Sequence, residues 1–126
     1  MTPSRRRVVV AALLAPLWAL VAGCEGVGEA HDGPGGQTYL RYCYSCHAGG
    51  IAGAPRVGDV DAWSERASAG LDHLLARTIA GIEPGMPPRG ACRECSDDQL
   101  AAAIEHMLAL SGLSYSSDGT LQENEP

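Results

Sequence analysis

Five consecutive residues, Cys43-Tyr44-Ser45-Cys46-His47, constrain this chain more than any other feature of its sequence. The pattern C-x-x-C-H sets two thiols one helical turn apart and an imidazole directly after them, which is typical of sites that attach a c-type haem. The two thiols add to the porphyrin vinyl groups and the imidazole binds the iron. The motif therefore predicts one covalent haem c on Cys43 and Cys46, with His47 as an axial ligand.

Three other interpretations of these cysteines are a disulfide, a zinc site and a thioredoxin-like redox pair. A zinc site that also used Cys92 and Cys95 would need a far longer intervening stretch than the usual roughly 15–20 residues. A thioredoxin motif needs a strand followed by a helix, and the sequence around Cys43 lacks that pattern. Haem attachment is the interpretation that best fits an exported helical chain poor in aromatic residues.

The composition agrees with a small domain that needs a cofactor. The chain has 126 residues, no Phe, 5% aromatic residues and 16 glycines, so its aliphatic core is thin and calls for a disulfide, metal or cofactor. Its 9 basic residues, all Arg, stand against 15 acidic ones, for a formal charge of −6. This balance argues against nucleic acid as a partner.

The first 23 residues have the layout of an export signal. Three arginines precede an apolar run of 15 residues, 8–22, which is shorter than the roughly 20 residues of a membrane-spanning helix. The sequence Val21-Ala22-Gly23-Cys24 resembles the bacterial lipoprotein box, which predicts cleavage before Cys24 and lipidation of its thiol. The alternative is ordinary cleavage after Ala22, with Cys24 left as a free thiol. Lipidation predicts a periplasmic protein tethered to a membrane, and Glu25 in place of Asp favours the outer one.

The remaining chain divides into three parts. Residues 24–36 form the lipidated cysteine and a Gly-rich segment, which we interpret as a flexible linker. Residues 37–112 form the predicted haem domain. Residues 113–126 are polar and acidic, and predict a disordered tail.

Three segments of the haem domain have helical spacing. They are 38–47, 71–82 with one apolar stripe from Leu71 to Ile82, and Asp97–Leu110. Ser96 with Gln99 three residues later predicts a capping box at the start of the last helix. Nothing alternates with a period of two, so we expect no sheet.

The second axial ligand is predicted to be Met86, in the stiff segment Gly85-Met86-Pro87-Pro88 about 40 residues after His47. Met107 lies on the apolar stripe of the last helix and is better explained as core. His31, His73 and His106 are further rivals, each interpreted as a solvated or packed histidine.

Cys92 and Cys95 are followed by Ser96 in place of His, so they do not form a second haem site. Two thiols this close in an oxidising compartment predict a local disulfide that fixes the entry to the last helix. The alternative is a working redox dithiol.

These motifs, taken in order, resemble the class I cytochromes c, and among them the bacterial cytochrome c-five group. The resemblance runs from about residue 36 to 110 and rests on CYSCH, GAPRVGD at 53–59, Trp63, MPPRG at 86–90 and CRECSDDQL from Cys92. It implies an all-α fold of four to five short helices around one covalent haem, and a family disulfide that matches Cys92 and Cys95.

The resemblance also assigns roles around the haem. Pro55 would accept a hydrogen bond from the His47 imidazole and fix its tautomer. Trp63 would pack near a haem propionate and could donate its indole N–H to it, with Arg66 and Arg56 as further propionate partners. Simpler readings are a turn residue for Pro55 and plain core for Trp63.

Filled axial positions imply a one-electron carrier between redox proteins, with no small-molecule substrate at the iron. The alternatives are a haem enzyme or gas sensor with an open axial site, and a fixed cytochrome subunit of a larger oxidoreductase complex. The acidic surface favours a basic or apolar docking patch on the redox partner.

Overall fold

The computed structural model describes residues 31 and 33–124. The predicted signal segment 1–23, Cys24 and most of the predicted linker lie outside the described residues.

The described chain begins with one helical run that changes geometry twice. Pro34–Thr38 is α-helical (α1), Tyr39–Cys43 forms a π-helical turn, and Tyr44–His47 returns to α-helix (α2). Pro34 suits the first turn of a helix because its missing N–H has no partner there in any case. The predicted helix over 38–47 is confirmed, and it begins four residues earlier than expected. A short 3₁₀ turn, Ile51–Gly53, follows the run.

Two helices then carry the middle of the domain. Val60–Ala67 (α3) is capped by the Asp59 carboxylate, which accepts a hydrogen bond from the Ala62 N–H at 3.0 Å. Leu71–Ala80 (α4) ends at Gly81, whose φ of +81° an L side chain would adopt only under strain. The helix therefore stops before Ile82, which the apolar stripe had included.

The last helix has the predicted bounds. Asp97–Leu110 (α5) begins with the predicted capping box: the Ser96 hydroxyl accepts from the Gln99 N–H, and the Gln99 side chain accepts from the Ser96 N–H. A 3₁₀ turn, Pro88–Ala91, precedes it.

The predicted flexible linker is wrong at its C-terminal end, because Gly35 and Gly36 are buried in α1. A Cβ atom on Gly35 would collide with the Ala102 carbonyl of α5. Glycine there permits α1 to lie directly on α5, so the folded domain starts before residue 37.

The predictions of no sheet and of a disordered tail over 113–126 are also wrong for residues 113–124. Leu113–Tyr115 (β1) pairs antiparallel with Leu121–Glu123 (β2). Leu113 is fully buried, and the Tyr115 hydroxyl donates to the Ala67 carbonyl at the end of α3, at 2.7 Å. These contacts across the fold hold the hairpin in place.

Ser111 joins the end of α5 to the loop before α3. Its buried hydroxyl donates to the Met107 carbonyl at 2.8 Å and accepts from the Gly58 N–H at 3.0 Å. The hairpin therefore begins two residues after a serine that is already fixed in the core.

The described residues form two apolar clusters. The larger contains Tyr39, Trp63, Ala67, Leu74, Ile104, Met107, Leu108 and Leu113. The smaller contains Cys92, Cys95 and Leu100, with Tyr42, Leu75 and Ile79 packed against it. Within residues 33–124, none of the helices combines the length and apolar character needed to cross a bilayer.

Candidate functional site

The two motif cysteines project from the same helical run. Cys43 ends the π-helical turn and Cys46 lies in α2; both are half-buried free thiols that line one cavity. Burial raises the pKa of the Cys43 thiol to about 11, and the neighbouring Cys46 adds to the rise. A π-helical turn within a helix is common at functional sites.

The motif histidine is held in one orientation. His47 is only 6% exposed, and its Nδ1 lies 2.9 Å from the Pro55 carbonyl oxygen. Because a carbonyl only accepts hydrogen bonds, Nδ1 carries the proton and Nε2 keeps its lone pair for a metal. Burial lowers the pKa of His47, which favours the neutral, ligating form, and the hydrogen bond to Pro55 opposes this in part.

The loop that supplies this carbonyl is tied down at three successive residues. Pro55 accepts from His47, the Arg56 carbonyl accepts from the Trp63 indole N–H at 2.8 Å, and the Val57 N–H donates to the His47 carbonyl at 2.8 Å. The loop and the imidazole therefore fix one another.

Trp63 has a different partner from the one expected. It is 4% exposed, its ring lies 5.6 Å from the His47 ring, and its N–H is already given to Arg56. The indole N–H is therefore bonded to the protein backbone, and Trp63, which also lines the second cavity, lies against the His47 ring.

The predicted methionine lies on a short loop closed by its own backbone. Ile82 and Met86 exchange two N–H···O hydrogen bonds, both of 2.8 Å, and Pro87 and Pro88 follow. A Cβ atom on Gly85 would lie 2.6 Å from the Ala52 carbonyl oxygen, so this loop packs closely on the turn after α2. The backbone that carries the half-buried Met86 side chain is therefore fixed in position.

His47 and Met86 line the same cleft. It consists of two adjoining cavities of about 310 and 360 Å³. Both cavities are lined by His47, Pro55, Arg66, Arg77, Ile82 and Met86, whereas Cys43 and Cys46 line only the first. An imidazole with a free nitrogen, a thioether and two thiols on one cleft form the donor set that a covalent haem requires. The residues present fit that group.

Arg77 is a site residue that the sequence analysis missed. It lines both cavities, and its guanidinium has no hydrogen-bond or ion-pair partner within residues 33–124. Arg66 lines both cavities too, but one of its N–H groups is bonded to the Ala62 carbonyl of its own helix. Arg56 lines neither; its side chain lies against Gly50. The sequence signal that could have indicated Arg77 is its position in α4, next to the apolar stripe that faces the interior.

The rival ligands lie elsewhere or in the core. His31 and His106 are 2.9 Å apart, Nδ1 to Nε2, and line neither cavity. His73 is an exposed residue at the edge of the second cavity, and Met107 is a core residue that lines the same one.

Cys92 and Cys95 are joined by a disulfide just before α5. Cys92 is fully buried, and Arg89 donates both to the Cys95 carbonyl and to the Asp97 carboxylate, each at 2.7 Å. The disulfide loop thus connects the methionine segment with the start of α5. The Tyr42 hydroxyl donates to Glu94 and joins this loop to the motif helix.

Comparison with known proteins gives a consistent result. Residues 31–107 match the family model described as cytochrome C oxidase, cbb3-type, subunit III. Cytochrome c5 of Ectopseudomonas mendocina is 50% identical over 72 residues, which are 56% of this chain and 82% of that protein.

Solved structures agree. The chain is similar to one in the crystal structure of an electron transfer complex of nitrite reductase with cytochrome c, with a TM-score of 0.59 and 38% identity over 64% of this chain and 96% of that one. A mono-haem ferrocytochrome c from Shewanella putrefaciens gives a TM-score of 0.54 and 37% identity over 58% and 89% of the two chains.

Proposed function

The chain belongs to the class I c-type cytochromes, and on that premise we propose that it holds its single haem c through thioether bonds to Cys43 and Cys46, with His47 and Met86 on the iron. When bound, the haem supplies a one-electron Fe(III)/Fe(II) couple. The protein carries single electrons between redox proteins, as its mono-haem relatives do.

The observation that carries the ligand assignment is that His47 and Met86 line one cleft together with both cysteines. Nδ1 of His47 is committed to Pro55, so Nε2 is the nitrogen directed to the metal. Met86 is held by a loop that its own backbone closes, which suits a weak thioether ligand. A soft thioether favours the ferrous state and raises the reduction potential relative to two nitrogen ligands.

Saturation of the iron by two side chains supports a carrier rather than an enzyme or gas sensor. A molecule such as carbon monoxide would have to displace the Met86 thioether before it could bind. Arg66 and Arg77 supply cations at the cleft that suit the haem propionates.

The cellular setting proposed is the bacterial envelope. Residues 1–23 are a lipoprotein signal, and Cys24 carries the lipid that tethers the protein to a membrane, with the outer membrane favoured. The four residues of the box, Val21 to Cys24, support this proposal.

A second candidate is a fixed subunit of a larger oxidoreductase complex, favoured by the subunit III description of the matching family. Purification from the native membrane distinguishes the two. A free carrier separates from the other membrane proteins after mild detergent extraction, whereas a subunit stays with its complex in a fixed stoichiometry.

The ligand assignment is tested by the absorption spectra of Met86→Ala and Met107→Leu. We expect the red thioether-to-iron band of the ferric protein to be lost only in Met86→Ala, and carbon monoxide to bind rapidly to that ferrous variant alone. Met107→Leu is the matched control because it removes the other thioether that lines the cleft while keeping the side-chain volume. Loss of the band in Met107→Leu with its retention in Met86→Ala would overturn the assignment.

A further inference from the structure

The N-terminal end of the described chain is fixed to the domain surface at His31. Its Nδ1 is 2.9 Å from Nε2 of His106 on α5, its ring stacks on Tyr39 with 6.0 Å between ring centres, and its main chain packs against Gly36. The predicted linker therefore ends at residue 31, and the point of attachment lies beside the first helical run.

Two large apolar side chains are exposed beside this attachment point. Leu40 is 46% exposed and Tyr44, one turn further on, is 51% exposed. The Tyr39 ring contacts both His31 and Tyr44, with 5.8 Å between the two tyrosine ring centres, so the exposed tyrosine lies next to the attachment point. We call His31, Leu40 and Tyr44 the anchor face.

The anchor face lies outside the cleft. Cys43 and Cys46 of the same helical run line the first cavity, whereas Leu40 and Tyr44 line neither cavity. Contact at the anchor face therefore leaves the cleft accessible to redox partners.

The tether to this face is short. His31 is the seventh residue after Cys24, and seven residues span at most about 25 Å even when fully extended. A compact domain of roughly 90 residues has a radius of gyration of about 12 Å, hence a diameter of about 30 Å. The greatest possible span of the tether is thus shorter than the diameter of the domain. The side that bears His31 is held towards whatever Cys24 is anchored in.

We propose that the anchor face rests on the surface of the lipid bilayer and holds the haem cleft in a fixed orientation to it. The inference rests on the lipidation of Cys24 proposed above. A tyrosine and an aliphatic side chain suit the headgroup boundary, where the ring and methyl groups leave water while the hydroxyl stays hydrated.

The test is linear dichroism of the haem bands in the mature, lipidated holoprotein on oriented supported bilayers of phosphatidylcholine. A fixed domain gives a dichroic signal, because the haem bands are polarised in the porphyrin plane, whereas a freely turning domain gives none. We expect a signal for the wild type, and its loss in Leu40→Ser/Tyr44→Ser with the protein still bound through its lipid. Val60→Ser is the matched control: Val60 is 37% exposed on α3, outside the anchor face and the cleft, and this variant should keep the signal.

Leu40→Ser alone leaves the haem-attachment motif unchanged and should reduce the dichroic signal in part. This single variant replaces the double variant in the test if the double variant does not take up haem. An unchanged signal in both variants would overturn the proposal. A wild-type protein that carries its diacylglycerol mass and binds the bilayer but shows no dichroism would also overturn the proposal. In that case the lipidation of Cys24 is supported and the fixed orientation is refuted. Absence of the diacylglycerol mass would overturn both. A dimer of Cys24→Ser in sedimentation that is lost with Leu40→Ser/Tyr44→Ser would identify the face as a contact between copies, and would also overturn the proposal.

Discussion

The bond between the Trp63 indole and the Arg56 carbonyl gives the sharpest prediction, because it stabilises the loop that orients His47. Trp63→Phe keeps an aromatic ring in the core but removes the indole donor, and the Arg56 carbonyl keeps only its hydrogen bond from the Asp59 N–H at 3.1 Å. Loss of one such hydrogen bond costs about 1 kcal/mol, and the void left by the smaller ring adds about 1 kcal/mol. We expect the free energy of unfolding to fall by about 2 kcal/mol.

The assay is urea denaturation of the holoprotein. With a slope near 2 kcal/mol per molar urea, typical of a small domain, the midpoint should drop by roughly 1 M. The reduction potential should also rise. A less firmly held Pro55 carbonyl accepts a weaker hydrogen bond from His47 Nδ1–H, so the imidazole donates less electron density to Fe(III) and stabilises it less.

Tyr115→Phe is the matched control. It also removes a hydroxyl bonded to a main-chain carbonyl, that of Ala67, but lies away from His47. It should cost about 1 kcal/mol and leave the potential unchanged. A change below about 0.5 kcal/mol in Trp63→Phe, or an equal shift of potential in both variants, would refute the reasoning.

Three further changes have definite expected outcomes. Cys95→Ser opens a four-residue disulfide loop and should lower the free energy of unfolding by about 2 kcal/mol in chemical denaturation, with no change of potential in voltammetry. Burial, with His31 alongside, lowers the pKa of His106, so the unfolded chain binds the extra proton. Thermal stability should therefore fall as the pH drops from neutral through about 6.5, and His106→Gln should flatten that slope. Arg77→Gln removes a cation from the cleft; voltammetry should show a lower potential, with a smaller difference at high ionic strength.

The elements that could be read from the sequence are those whose signals are local. The bounds of α5 follow from the capping box of Ser96 and Gln99 and from the apolar face of the helix. The disulfide between Cys92 and Cys95 likewise joins residues only three apart. Motif spacing brought Cys43, Cys46 and His47 together because they share one helical run.

The parts that were missed depend on contacts between distant residues. The hairpin has strands of three residues each, too short for a periodic signal, and its order comes from Leu113 in the core and from Tyr115 bonded to Ala67, 48 residues away. Gly35 has the composition of a linker, and only the proximity of Ala102 on α5 shows why glycine is there. Arg77 belongs to the cleft through the packing of α4, which a one-dimensional pattern does not reveal.

The two hydrogen bonds of the Ser111 hydroxyl, to the Met107 carbonyl and from the Gly58 N–H, limit where this domain can be shortened. The match to the family ends at residue 107, but a protein shortened to that point would leave the Gly58 N–H without its acceptor and uncover the core beneath Leu113. We therefore expect the smallest part of this chain that folds alone to be longer than the region that matches the family model. Chimaeras between this protein and its relatives should exchange Ser111 and the C-terminal hairpin together with the loop at Gly58 that Ser111 binds.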